Sequence, residues 1–360
     1  MDTLNYNIRY GYLDALVRAY FTDFLTEADY MQLKQSETLD DLRLHLGNCG
    51  FQEFLQNDAG SATPNLIYER CLTRMVNRFN EIECQSQDKL KTFLQWIKIP
   101  FMIDNVVLLI SGIVRNRDVS DLIERCHPLG MFDGIKSLTI ASSAEELYQT
   151  VLIDTPLGPL FQKCLSKTAL NEQNVEIIRL ILYREYFDGF YKFCESLGNE
   201  TATIMTEMLK FEADRRAIII TLNSLKTTLI VDDKETLYPR IGLLYPQGTH
   251  QLARAQTEAD VARILDSYEI YRGLWGSVTQ TKSIEDVFYE RTANMNADSF
   301  NIFFQFGVFY AWTHLMDQEV RNIQWIAECI HQNKREKADS YIRIRRSEER
   351  RVGKECRSRW

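Results

Sequence analysis

The stretch from residue 172 to residue 196, EQNVEIIRLILYREYFDGFYKFCES, decides the fold class of this chain. Its apolar side chains recur every three or four residues and form one wide face, which is the pattern of an amphipathic α-helix. Gly198 follows and supplies a stop, because glycine readily adopts the backbone conformation that ends helices. The stretch therefore predicts a long helix. The members of its apolar face are Ile177, Ile178, Ile181, Leu182, Phe187, Phe190, Tyr191 and Cys194.

The same helical spacing extends over most of the chain. Only 7 prolines and 16 glycines occur in 360 residues, so long stretches are free of helix breakers. Pro100 is expected to separate two helices, and the segment 245–248 is expected to form a turn. Because no long alternating pattern is bounded by turn signals, we predict an all-α fold. The predicted helices cover residues 9–35, 66–83, 88–99, 102–114, 144–152, 157–166, 172–196, 200–224, 232–238, 283–314 and 317–338.

A helix-start signal occurs three times at intervals of a little over a hundred residues. Thr38, Ser143 and Thr257 are each followed three positions later by an acidic residue, which is the layout of a capping box. These hydroxyl residues lie 105 and 114 positions apart. Repetition of this kind indicates repeated structural units. We therefore predict one body made of three related helical units, over about 1–130, 131–245 and 246–342.

Polar clusters that run directly into apolar helices form a second repeated signal. An unpaired buried charge is costly, so these side chains must form pairs or lie on an exposed face. We expect all three clusters to be polar junctions that fix helix register. The alternative is that the arginines face a cavity or a partner subunit. The clusters consist of Asp104 and Asn105, of Asp214, Arg215 and Arg216, and of Glu319, Arg321 and Asn322.

The net charge of the chain is −8. Because its last residues are mostly basic, the rest of the chain is more acidic than this value indicates. The segment 346–360, RSEERRVGKECRSRW, matches the in-frame translation of a common sequencing-library adapter and is excluded from the fold reasoning. The alternative is a genuine basic tail. From Arg345 onward the chain has seven basic and three acidic residues, which leaves the body at −12. Such a surface repels phosphate backbones, so no nucleic-acid partner is expected.

The longest candidate runs are Val106–Val114, with nine residues between Asp104 and Arg115, and Phe303–Trp312, with ten residues that include Gln305 and Gly307. A membrane-spanning helix needs about 20. We therefore expect core helices, no membrane span, and membrane contact only through a partner or a surface.

No catalytic, cofactor or metal site is predicted. Seven of the eight cysteines precede the tail and none forms a CxxC pair, which indicates mostly buried cytosolic thiols. Cys126 and His127 are adjacent, but they lack a second ligand pair and are interpreted as part of a turn. The aspartate-rich DDxxD motif and the phosphate-binding GxxxxGK[ST] loop are both absent.

Five aromatic residues are candidates for partner contacts, because aromatic side chains are frequent hot spots of interfaces. Their helical spacing also fits core packing, which we regard as the commoner use. They are Phe51, Phe54, Tyr268, Tyr271 and Trp275.

Ten collinear blocks resemble the family of subunit d of V-type proton-translocating ATPases, which includes the C subunit of archaeal-type rotary ATPases. They extend from residue 6 to about residue 342, and together they are far more specific than any one alone. The blocks are YNIRYGYLDALVRA (6–19), LTEADY (25–30), ETLDDLRLHL (37–46), MIDNVVLLISG (102–112), CHPLGMF (126–132), LIDTPL (152–157), NVEIIRLILYREYFDGFYKFC (174–194), FEADRRAIIITLNS (211–224), LYPQGTHQLARA (244–255) and FGVFYAWTHLMDQEVRNIQWIAECI (306–330).

The resemblance implies three similar helical bundles arranged as a pseudo-threefold funnel. It further implies a non-catalytic rotor subunit, peripheral to the membrane on the cytoplasmic face of vacuolar, lysosomal or other endomembranes. Such a subunit would sit on the proteolipid ring and receive the central stalk, so that ATP hydrolysis drives proton transport. The alternative function is a general all-α adaptor that binds helical partners in a groove.

Overall fold

The computed structural model describes residues 3–51, 61–115, 117–135, 155–165, 172–227, 229–279 and 282–345. Within these ranges the chain is helical and has no β-strand, which confirms the all-α prediction. Short 3-10 or π turns add to the α-helices. The α-helices are α1 (Thr3–Thr22), α2 (Glu27–Gln35), α3 (Leu39–Leu46), α4 (Pro64–Gln85), α5 (Asp88–Val114), α6 (Val119–Glu124), α7 (Gly158–Leu165), α8 (Glu172–Leu197), α9 (Asn199–Ser224), α10 (Val231–Leu237), α11 (Gln247–Arg254), α12 (Glu258–Asp266), α13 (Ile284–Ser299) and α14 (Gly307–His331).

Two of the three repeated helix starts are capping boxes. The hydroxyl of Thr38 accepts a hydrogen bond from the N–H of Asp41, whose carboxylate accepts from the N–H of Thr38. Thr257 and Asp260 make the same pair of bonds at the start of α12. The third predicted start, at Ser143, and the predicted helix 144–152 lie outside the described residues.

The predicted helix 9–35 is wrong, because the chain forms α1 and α2 with a break between Thr22 and Glu27. Thr26 and Asp29 form a further capping box there, with the N–H of Thr26 2.7 Å from the carboxylate of Asp29. The cap satisfies the free N–H groups at the start of a new helix. Because the apolar periodicity continues through this break, the sequence pattern resembles that of one helix.

The boundary predicted at Pro100 is also wrong, because α5 runs through the proline. An interior proline costs about 3 kcal/mol. Ile97, Ile99, Met102 and Ile103 are buried on both sides of it. At about 1.5–3 kcal/mol for each such side chain, their burial outweighs the cost.

This continuity makes α5 the one helix of the described residues that is long and apolar enough to cross a membrane. Because Pro100 was expected to separate two helices, an apolar helix of this length was not foreseen. More than half of the apolar window of α5 is buried inside the protein, and a packed core helix passes the same test of length and composition.

The predicted helices 283–314 and 317–338 are wrong, since the chain forms α13 and α14 instead. Phe304 has φ +62, a left-handed conformation that is uncommon outside glycine and interrupts the helix. The buried amide of Gln305 donates to the carbonyl of Ser299 at 3.1 Å and satisfies the end of α13. Phe303 and Phe304 are exposed in this break, although the run 303–312 was expected to be a core helix.

The chain forms two compact units, within which most of the residue–residue contacts lie. The first unit comprises residues 1–94, 198–204 and 273–360. In it, α14 packs against α1, α4 and α13, and Trp312 of α14 is fully buried. The prediction of three units stays a prediction.

The second unit comprises residues 95–197 and 205–272. Here α8 packs against α7 and α10, while α11 packs against α10 and α12. The indole of Trp96 stacks on the ring of Phe190, with centroids 5.6 Å apart. Gly189 allows this approach, because a Cβ there would lie 2.7 Å from the indole.

Candidate functional site

The first polar junction is built by Asn105, a buried residue of α5. Its Nδ2 donates to the carbonyl of His127 at 2.9 Å, and its Oδ1 accepts from the N–H of His127 at 2.7 Å. Both backbone groups of one turn residue are thereby satisfied by one side chain. Gly130 lies in the same turn, and a Cβ there would lie 2.3 Å from the carbonyl oxygen of Phe101. Asn105 therefore fixes the turn 126–130 against α5.

The second junction is built by Asp214, which is fully buried in α9. Its carboxylate accepts hydrogen bonds from the N–H of Leu243 at 2.8 Å and of Leu244 at 3.1 Å. The hydroxyl of Tyr271 donates to the same carboxylate at 2.7 Å. Gly242 has φ +120, and a Cβ there would lie 2.1 Å from the carboxylate. The loop before α11 is thus held by one buried acid.

Burial raises the pKa of Asp214 from 3.8 to about 6, because a carboxylate loses its hydration inside the protein. The three hydrogen bonds act in the opposite direction, since they favour the charged form. Asp214 is consequently a buried acid that titrates close to physiological pH.

The third junction is built by Glu319 and Asn322 on α14, both of which are buried. The side chain of Asn322 donates to the carbonyl of Ile342 at 2.6 Å and accepts from its N–H at 3.1 Å. Glu319 accepts from the N–H of Leu25 at 2.7 Å and lies 3.8 Å from the guanidinium of Arg74. Two separate segments are thereby bound to α14.

The three junctions share one construction. In each, a buried Asn or Asp on a long helix binds the backbone of a segment that follows it in sequence. The residues joined in this way are 22, 30 and 20 positions apart for Asn105, Asp214 and Asn322 respectively. Buried backbone groups need hydrogen-bond partners, so such a side chain both anchors the segment and completes its hydrogen bonding.

Two charged members of the clusters form ion pairs on the surface. Asp104 lies 3.2 Å from Arg179, and Arg321 lies 3.0 Å from Asp317, with all four side chains partly exposed. Exposed pairs contribute little to stability, typically up to about 1 kcal/mol.

Arg215 and Arg216 lie on α9 beside the acidic side chain of Glu212. The Nε of Arg215 donates to Glu212 at 2.8 Å. The guanidinium of Arg216 lies 3.6 Å from the centroid of the Tyr183 ring, a cation–π contact, and 3.9 Å from Glu212. Both arginines are mostly buried and paired within the second unit.

The candidate contact aromatics separate into core and surface residues. Phe51 and Tyr271 are buried, Phe51 below the guanidinium of Arg74 and Tyr271 against Asp214, so neither presents a surface to a partner. Tyr268 and Trp275 are partly exposed. Phe54 lies outside the described residues.

Cysteine and histidine side chains form no metal centre among the described residues. Four of the six cysteines with described side chains are buried, and burial raises the pKa of Cys126 to about 11. His127 stacks on Phe101 and its Nδ1 accepts from the N–H of Leu129, as a turn residue does.

Arg74 was missed by the sequence reasoning, although it lies within the buried junction of α14. It is 1% exposed, and desolvation lowers the pKa of its guanidinium. A signal was present, because Arg74 follows Ile67 and Cys71 at the three- and four-residue spacing of the apolar face of α4.

Comparison with known proteins finds relatives that match nearly the whole chain. Residues 13–341 match the family model described as "ATP synthase (C/AC39) subunit". The chain is 42% identical over 346 residues to a probable V-type proton ATPase subunit d of Oryza sativa subsp. japonica, covering 95% of this chain and 99% of the relative. It is 44% identical to V-type proton ATPase subunit d of Dictyostelium discoideum, covering 93% and 94%. The subunit d of Saccharomyces cerevisiae is 40% identical, covering 96% and 100%.

Proposed function

Because the chain belongs to the ATP synthase (C/AC39) subunit family, we propose that it couples the central stalk of a V-type proton ATPase to the proteolipid ring. It is a non-catalytic subunit of that ATPase, in line with relatives that match it over nearly their whole length. This near-complete collinear match carries the proposal. In the proposed role, other subunits hydrolyse ATP and this chain transmits the resulting torque.

Torque transmission requires a body that resists shear, and the buried junctions support this role. Asn105, Asp214 and Asn322 each tie a loop or terminal segment to a long helix through backbone hydrogen bonds. Breaking such a buried bond leaves an unsatisfied group, which costs about 1–3 kcal/mol. Loops bound in this way deform less readily than loops that contact only solvent.

The proposed partners are the proteolipid ring on one side and the central-stalk subunits on the other. The family places the chain in an ATPase complex on endomembranes. We propose the cytoplasmic face, with the ring making the lipid contact. Each stable interface would bury on the order of 1,200 Å² or more. Tyr268 and Trp275 remain candidate contacts, because both are partly exposed.

The three-unit, funnel-like organisation is also proposed. The repeated sequence signals at 105, 214–216 and 322 support it, because each coincides with a buried side chain that performs the same backbone-binding task. The polar junctions are accordingly proposed as structural elements that hold helices and following segments in register.

Affinity purification from mildly solubilised endomembranes tests the coupling role. The tagged chain, ending at Arg345, should recover the proteolipids together with central-stalk subunits, identified by mass spectrometry. A tagged all-α protein of similar size and charge is the control for non-specific capture. Recovery of soluble partners alone would contradict the proposal and favour the general adaptor.

A further inference from the structure

Helix α1 is apolar on two opposite sides, and only one of them is covered. Its inner side is buried in the first unit and contains Tyr6, Tyr10, Leu13, Val17 and Phe21. On the outer side Leu4, Ile8 and Tyr12 are 65%, 73% and 65% exposed. An exposed apolar stripe beside polar residues marks a surface that a partner can bury. No element of the described residues covers this outer side.

The outer side forms a continuous seam, which we define as Leu4, Ile8, Gly11, Tyr12, Ala15 and Ala19. At about 100° per residue these positions fall within roughly one third of the helix circumference. Ala15 and Ala19 are exposed, and Gly11 is partly exposed. Leu4, Ile8 and Tyr12 follow one another at intervals of four, which is the ridge used in helix–helix packing. Ala15 and Ala19 beside that ridge permit close approach of a second backbone. At Gly11 the amide of Asn7 lies over the backbone, 2.4 Å from where a Cβ would be.

The charges around the seam indicate the chemistry of what covers it. No member of the seam is charged. The two flanking arginines are already paired, Arg9 with Asp88 at 3.0 Å and Arg18 with Asp14 at 2.7 Å. An anionic lipid surface is recognised by clusters of unpaired Lys and Arg, which the seam does not offer. An uncharged and apolar protein helix complements it.

We propose that the seam of α1 is the docking site of an uncharged, apolar α-helix from another subunit of the same ATPase complex. This inference rests on the proposed function, because it takes the partner from that complex. Beyond that function, the inference specifies which surface of the chain binds the partner and which kind of structural element binds there. The partner helix lies along α1 and covers Leu4, Ile8 and Tyr12.

Ile8 is the best position for the test, because its side chain is exposed and its replacement leaves the core intact. Leu44 on α3 is the matched control, since it is an exposed aliphatic residue of the same unit at 68% exposure. The full chain carrying Ile8→Glu should recover the ATPase subunits about 30-fold less well than wild type, as expected for a hot spot. Leu44→Glu should recover them as wild type does. Thermal melts of both variants should match that of the wild type.

A photo-crosslinking amino acid at position 8 identifies the occupant. Crosslinking to an apolar helix of another ATPase subunit supports the inference. Crosslinking to lipid, to a second copy of this chain, or to nothing overturns it, as does full recovery of the complex by Ile8→Glu. If the wild-type chain recovers no ATPase subunits, the proposed function itself has failed. Recovery by the wild type and by both variants contradicts the docking seam alone.

Discussion

Removing the hydroxyl of Tyr271 should weaken the second unit more at neutral pH than at acid pH. In Tyr271→Phe the ring keeps its place beside Phe211, and the 2.7 Å hydrogen bond to Asp214 is lost. A hydrogen bond to a charged group contributes about 1.5–3 kcal/mol, and one between neutral groups about 0.5–1.5 kcal/mol. Since the pKa of Asp214 is about 6, the first range applies at pH 7.5 and the second at pH 5.

The sign of the underlying pH dependence follows from the raised pKa. Asp214 titrates at 3.8 when unfolded and at about 6 when folded. Its protonated form is therefore favoured by folding, and its contribution is complete below pH 3.8 and is lost as the pH rises through about 6. The difference corresponds to about 3 kcal/mol. The Tyr271→Phe variant should shift this loss to a still higher pH, because the missing bond lowered the pKa of Asp214.

Denaturant unfolding of the wild type and of Tyr271→Phe at pH 5 and pH 7.5 measures the effect. Tyr268→Phe is the control, because it removes the same hydroxyl three residues earlier from a partly exposed ring that does not contact Asp214 in this structure. We expect Tyr271→Phe to lose about 1 kcal/mol more at pH 7.5 than at pH 5. An equal loss at both values, or a loss no larger than that of Tyr268→Phe, would refute the assignment of a buried ionised acid.

Three further substitutions test the other junctions. Asn322→Ala should lower the free energy of unfolding by about 2–4 kcal/mol, because two backbone groups of Ile342 lose their partner; calorimetry showing an unchanged melting temperature would contradict this. Arg74→Met should cost about 3–5 kcal/mol by leaving Glu319 buried without its cation, and Glu319→Met in the same chain should restore much of the loss; additive losses in that double-mutant cycle would exclude the coupling. Arg216→Glu should destabilise the isolated protein, because it places like charges beside Glu212; normal thermal stability with lost assembly would indicate that Arg216 faces a partner instead.

The long helices could be predicted because their apolar periodicity is strong and uninterrupted. Helix α8 was predicted at 172–196 and is found at Glu172–Leu197. The helix starts at Thr38 and Thr257 were also predicted, because a capping box is a local arrangement of four residues. These features depend on neighbours in sequence and need no knowledge of packing.

The errors in helix boundaries have a different cause. Pro100 does not break α5, because tertiary burial on both sides outweighs a local preference. The break between α13 and α14 depends on the buried amide of Gln305, whose hydrogen bonds reach back across the turn. Neither the depth of burial nor that side-chain orientation can be obtained from periodicity.

The polar clusters were located correctly in sequence, but their partners were not foreseeable. Asn105 binds His127, and Asn322 binds Ile342, at separations that no local rule connects. Phe51 and Tyr271 were predicted as candidate contacts, but both are buried. Their helical spacing is the same for a buried and for an exposed aromatic residue, so the sequence pattern could not separate the two cases. Family resemblance, rather than a catalytic motif, carried the functional prediction.

The coupling role can be measured as proton transport driven by ATP hydrolysis. In membrane vesicles from cells that lack their own subunit d, ATP hydrolysis and acidification of the lumen should be measured together, with and without this chain. Adding the chain should restore ATP-driven acidification. Ile8→Glu should fail to do so, whereas Leu44→Glu should succeed. Assembly of the chain into the complex without any restored proton transport would contradict a coupling role.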